Sequence, residues 1–129
     1  MMNNKTILTG VAVYYFVHGV ALLFASDIAL DLFGISVTKE LMIGSQFFGG
    51  SLIALGYLTW FSRHSAVGGI YGRPLVITNL TFFLVAALTG LNSRLGGFSN
   101  DLFWVEEVLL FAGAVYFGKL LLSKSPVTQ

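Results

Sequence analysis

Apolar residues along this chain fall into four long runs, at about 7–25, 41–61, 74–91 and 101–122, separated by short polar stretches. A helix needs about 20 predominantly apolar residues to cross the hydrocarbon core of a bilayer, and each run comes near that length. The pattern predicts an all-α membrane protein: a bundle of four transmembrane helices with short loops, formed by residues 1–129 as a single domain. Between the first two runs, Ser26-Asp27-Ile28-Ala29-Leu30-Asp31-Leu32-Phe33-Gly34 reads as a short helix. Ser26 suits its N-cap, Asp27 the positive helix start, and Gly34 the position just past its end. Ile28, Leu32 and Phe33 share a face, which suits a helix lying in the membrane interface. Thr38 suits the N-cap of the second span, Trp60 its interfacial end, and Pro74 the first position of the third span. Gly68, Gly69 and Gly72 interrupt the second loop, Gly96 and Gly97 the third, and the tail from Ser123 onward reads as frayed. The first run is longer than a signal-peptide core, and Ala25-Ser26-Asp27 is a poor cleavage signal, so it is expected to be a retained span.

Composition supports the bilayer as solvent. Of the 129 residues 56% are hydrophobic and 10% charged, where a soluble domain carries about a quarter charged. The few charges are sorted. Four crossings put Lys5, Arg63, Arg73, Lys119 and Lys124 on one side, and Lys39 and Arg94 on the other with every Asp and Glu. Cytoplasmic loops carry the Lys/Arg excess, so both termini are expected in the cytoplasm. A net charge of +1 leaves no broad basic surface for nucleic acid. The absence of cysteine removes disulfides, thiolate catalysis and thiolate metal sites.

Candidate chemistry is confined to polar residues within the spans, which are costly there and usually face a bundle interior. Helical rise places His18, Gln46 and the Glu106-Glu107 pair at similar depth in the outer half, on three different spans. Tyr14 lies one turn inward of His18 on the same face. Thr89 and Asn92 bring the outer end of the third span to the same layer. Adjacent glutamates project about 100° apart on a helix. Glu106 shares a stripe with Leu110 and Gly113, Glu107 with Ala114 and Gly118. Both stripes hold small residues of the kind that let membrane helices approach, and the smaller one favours Glu107 as the inward residue. Tyr14, His18, Gln46, Glu106 and Glu107 are therefore the candidate ligand-binding residues. The same groups have a purely structural use, hydrogen bonding across helices, and Asn79 is expected to serve that way. No cluster has metal-site spacing, and His18 and His64 are too far apart along the membrane normal to share a haem, so no metal or cofactor is expected.

The plan resembles that of small bacterial four-helix membrane proteins, the DoxX-like ones among them. The likeness rests on topology and on the glycine-rich second span, Phe48-Gly49-Gly50-Ser51-Leu52 through Gly56, then Trp60-Phe61-Ser62-Arg63. It implies a multi-pass protein of the bacterial cytoplasmic membrane and carries no catalytic motif. A second likeness is local: Trp104-Val105-Glu106-Glu107-Val108-Leu109-Leu110-Phe111 is similar to the paired-glutamate segment of membrane carotenoid cyclases, which protonate a polyene with acidic residues. Trp104-Val105 stands where those proteins have a proline. Two function classes follow. One is a non-enzymatic module that binds membrane lipid or a lipophilic small molecule, or is an accessory subunit of a larger membrane assembly. The other is a membrane enzyme of isomerase or cyclase type, with Glu107 and His18 as acid and base beside Gln46. An oligomeric small-molecule transporter is a third reading. Small residues on the second span (Ser45 and Gly49, Gly50 and Ala54) suit packing within one bundle or in a homo-oligomer.

The charge bias predicts the sidedness of each segment. A reporter fused after Gln129 should be active only in its cytoplasmic form, and one inserted within 26–40 only in its exported form. An exported C-terminus would overturn the topology.

Overall fold

The computed structural model describes residues 3–64, 72–98 and 100–123. Five helices follow in order: α1 (Asn4–Phe24), α2 (Ser26–Leu32), α3 (Lys39–Ser62), α4 (Gly72–Leu95) and α5 (Asp101–Leu122). Every regular element among the described residues is helical. Gly68 and Gly69 of the second loop, and the tail from Lys124, lie outside the described residues. The helices form two compact units, residues 1–64 and 65–129.

Side-chain caps define the helix starts. Asn3 accepts from the Thr6 N–H at 2.9 Å, and Thr38 Oγ1 accepts from the Leu41 N–H at 3.2 Å, as its position suggested. Asn100 accepts from the N–H groups of Leu102 and Phe103. Two ends close on glycine. Gly34 (φ 70°) and Gly97 (φ 99°) take the left-handed conformation open to a residue without Cβ. Each completes a double backbone closure, Gly34 N–H to Asp31 O with Ile35 N–H to Leu30 O, and Gly97 N–H to Arg94 O with Phe98 N–H to Ser93 O.

Three local expectations need correction. Ser26 does not cap α2. The cap position is Ala25, which makes no side-chain bond, and Ser26 is the first helical residue and buried. The break between α1 and α2 is one residue long, so the serine is drawn into the contact instead of facing the helix end. Pro74 is the third residue of α4, not the first. It is tolerated because the N–H groups of the first turn have no intrahelical partner. The third span also runs past residue 91 to Leu95. Asn92, Ser93 and Arg94 are polar but not helix breakers; the stop signal is Gly97.

In the first unit α1 and α3 run antiparallel. Leu8, Ala12, Tyr15 and Gly19 of α1 are buried, and so are Ser45, Gly49, Leu52, Gly56 and Thr59 of α3. The spacing alternates between three and four, the seam of closely paired helices. Gly19 and Gly49 meet at its centre: a Cβ on either would sit under 3 Å from the other's carbonyl oxygen. Helix α2 adds Ser26 and Leu30 to this unit and leaves Ile28 and Leu32 exposed. In the second unit α4 and α5 pair through Leu75, Val76, Asn79, Phe83, Ala87 and Gly90 against Glu107, Leu110, Ala114 and Phe117. Phe83 stacks on Phe117 and fills the notch at Gly113. Buried Asn79 donates to the Leu75 carbonyl of its own helix.

The faces turned away from these seams are also apolar. Val13, Val17 and Val20 are exposed on α1, Phe47, Phe48 and Phe61 on α3, Val85 and Leu88 on α4, and Val105, Val108 and Val115 on α5. Helices α1, α3 and α4 are long and apolar enough to cross a membrane. Each 18-residue stretch of α5 holds three charges, Glu106 and Glu107 with Asp101 or Lys119, which distinguishes it from the other three.

The glycine contact makes a differential prediction. Gly49→Ala should destabilise the protein by about 1–3 kcal/mol, because the new methyl meets backbone. Gly50→Ala has open space around it and should be neutral or slightly stabilising, since alanine is the better helix former. Thermal unfolding in detergent checks both, and equal melting temperatures for the two variants would refute the seam.

Candidate functional site

Tyr14, His18 and Gln46 belong to the first unit, Glu106 and Glu107 to the second. The first unit brings Tyr14 and His18 together. Their rings lie against each other at a tilt of 34° with centroids 4.1 Å apart, and His18 Nδ1 lies 2.9 Å from the Tyr14 carbonyl oxygen. A carbonyl can only accept, so the imidazole carries its proton on Nδ1. Gln46 is exposed on α3, beside the buried Ser45. Thr89 and Asn92 are also exposed, because α4 turns Ala87 and Gly90 inward.

The second unit separates the two glutamates. Glu106 is half-buried, whereas Glu107 is 3% exposed and lies in the α4–α5 seam. The buried line of α5 is Glu107, Leu110, Ala114 and Phe117. Glu107 is the inward residue, as its stripe of small neighbours favoured. Opposite it stands Gly90, where a Cβ would overlap the Glu107 carboxyl group. The absent side chain of Gly90 is therefore what admits the carboxyl group to the seam.

Both carboxyl oxygens of Glu107 are buried and have no hydrogen-bond partner among the described residues. Arg94 is the charged neighbour acting on this carboxyl group. It sits one turn beyond Gly90, on the same side of α4. Its guanidinium lies over the Trp104 ring, 3.1 Å from the centroid, and its Nε is likewise buried without a hydrogen-bond partner. Trp104 is 54% exposed, so the stack forms the outer wall of the seat. The seat thus has a glycine floor, a carboxyl group with two free acceptor positions, a cation with one free donor, and an aromatic rim.

A buried acceptor left unsatisfied costs about 1–3 kcal/mol, and an ionised one costs more. Sequence reasoning found Glu107 and missed its surroundings. Gly90 was not singled out, Arg94 counted only as a loop charge, and Trp104 only as part of the paired-glutamate segment. Gly90 and Arg94 stand four apart on α4, a spacing visible in the sequence, but which residue of α5 faces them is not. Among the described residues no three His, Asp or Glu gather as a metal site. No protein-family model, curated protein or solved structure matches the chain.

The seat predicts coupling between its floor and its acid. Gly90→Ala should cost about 1–3 kcal/mol by forcing the carboxyl group out. Combined with Glu107→Ala, the same change should cost much less, because the overlapping group is gone. Melting temperatures of the two singles and the double provide the cycle; strictly additive shifts would refute the contact.

Proposed function

We propose that this chain is a multi-pass membrane module with four spans and both termini in the cytoplasm. It binds a lipid or other lipophilic molecule at the Glu107 seat, alone or as an accessory subunit of a larger assembly. Helix α5 is the fourth span. Its 22 residues reach about 33 Å, enough for a hydrocarbon core of about 30 Å. Its charges fit that role: Glu107 is withdrawn into the seam, and Asp101 and Lys119 lie in the first and last turns.

The observation that carries the reading is the pair of unpartnered carboxyl oxygens. A bilayer supplies no water to satisfy them, so a ligand's donor group is their natural complement. The apolar outer faces of α4 and α5 supply the surface along which a hydrocarbon tail lies. Structural glue explains the site less well, since glue requires a partner and these oxygens have none. A second reading, proton transfer to a lipophilic substrate, rests on the same oxygens. A buried carboxyl group with no hydrogen-bond partner among the described residues is free to exchange a proton with a bound molecule.

Substitution separates these readings. Glu107→Leu should leave the melting temperature equal to or above that of wild type, because an unsatisfied group is removed. It should also abolish retention of a specific lipophile, measured by mass spectrometry of extracts from protein purified in mild detergent. Glu107→Gln keeps shape and hydrogen bonding without the titrating proton, so a binding module should retain the same molecule. A substrate accumulating unconverted on the Gln variant would favour the enzyme. Identical extracts from wild type and Glu107→Leu would remove Glu107 from any ligand site.

A further inference from the structure

We infer that the seat recognises the hydroxyl group of a neutral, long-chain lipophile, the hydroxyl bridging Glu107 and Arg94. This rests on the ligand-binding reading above and specifies the ligand's head. The argument is one of matching valences. Among the described residues, Glu107 presents two acceptor oxygens that receive nothing, and Arg94 presents an Nε–H that donates to nothing. A head group that satisfies both must donate and accept at once. A hydroxyl does so with a single oxygen. An ammonium has no lone pair for Arg94. A carboxylate has no proton for Glu107 and adds a second negative charge beside it.

Net charge points the same way. The Arg94 guanidinium is the charged neighbour of the carboxyl group within one seat, so the seat already holds a charge before a ligand arrives. A charged head would leave one charge uncompensated in a low-dielectric setting, where that is costly. A neutral head adds no further charge. A direct ion pair would have served stability alone. Instead the guanidinium rests on the Trp104 ring with Nε unpartnered, which leaves both groups free to act on a third. Trp104 is exposed, and Arg94 is only half-buried. Their stack is the wall through which the hydroxyl enters, and displacing it brings the guanidinium to the oxygen. The tail then lies along the exposed Val105 and Val108 of α5.

The test uses the full chain in lipid nanodiscs and a sixteen-carbon primary alcohol bearing a diazirine in its chain. Photolabelling should fall on peptides of α4 and α5. Unlabelled 1-hexadecanol should compete at least tenfold better than hexadecanoic acid, hexadecylamine or hexadecane. Glu107→Leu and Arg94→Leu should each lower labelling at least tenfold, while Glu107→Gln, which still accepts, should keep it. Circular dichroism and thermal melting show whether each variant is folded, and the Gln variant holds the test open if a Leu variant is not. If the acid or the amine competes as well as the alcohol and labelling still needs Glu107, the hydroxyl inference fails and the ligand-binding reading survives. If labelling ignores both Glu107 and the competitor's head group, both fail.

Discussion

Closeness of approach governs this protein. Tight packing is what holds helices together when the solvent is itself apolar, since no hydrophobic gain distinguishes a neighbour from lipid. In the first unit that approach occurs where Gly19 and Gly49 face each other and backbone meets backbone. In the second it occurs twice, at Gly113, which receives Phe83, and at Gly90, which receives Glu107. The same device thus gives two results. Against another glycine or a phenylalanine it yields dispersion contact. Against a carboxyl group it yields a buried polar group with no partner.

The second result has an energetic logic. The α4–α5 pair has enough apolar contact, centred on Phe83 and Phe117, to carry one unsatisfied group in its outer part. Glu107 is the seventh residue of α5, about 9 Å along the helix from Asp101. Arg94 and Trp104 stand at the same end, where long cations and aromatic rings are at home.

Much of the helix plan was legible because its signals are local. Apolar run length located four helices, and α5 began and ended where the polarity changed. Thr38 and Gly34 announced their roles through side-chain chemistry and the lack of a Cβ. Boundaries failed where polarity was read as irregular structure: Asn92, Ser93 and Arg94 continue α4 because nothing in them opposes helix. The inward glutamate was not decided by the small residues on its stripe, since both stripes hold some; they only leaned to Glu107, and burial in the α4–α5 seam separates the two. Its seat was not legible, because Gly90 and Arg94 matter only through their register against α5, and sequence spacing within one helix says nothing about which residue of another helix stands opposite. Gln46 illustrates the same limit: its place along α3 is read from the sequence, but its azimuth is not, and its side chain is exposed.

The corner at Ala25 has one more implication. A single non-helical residue joins α1 to α2, whereas residues 33–38 separate α2 from α3. The first connection has no slack. A residue deleted there would rotate everything after it by about 100°, carrying Ser26 and Leu30 out of their contacts and presenting the acidic Asp27 and Asp31 in their place. The second connection absorbs such a change by re-forming its turn. Length variation in this region is therefore confined to one side of α2, and the short helix is in effect a rigid extension of the first span.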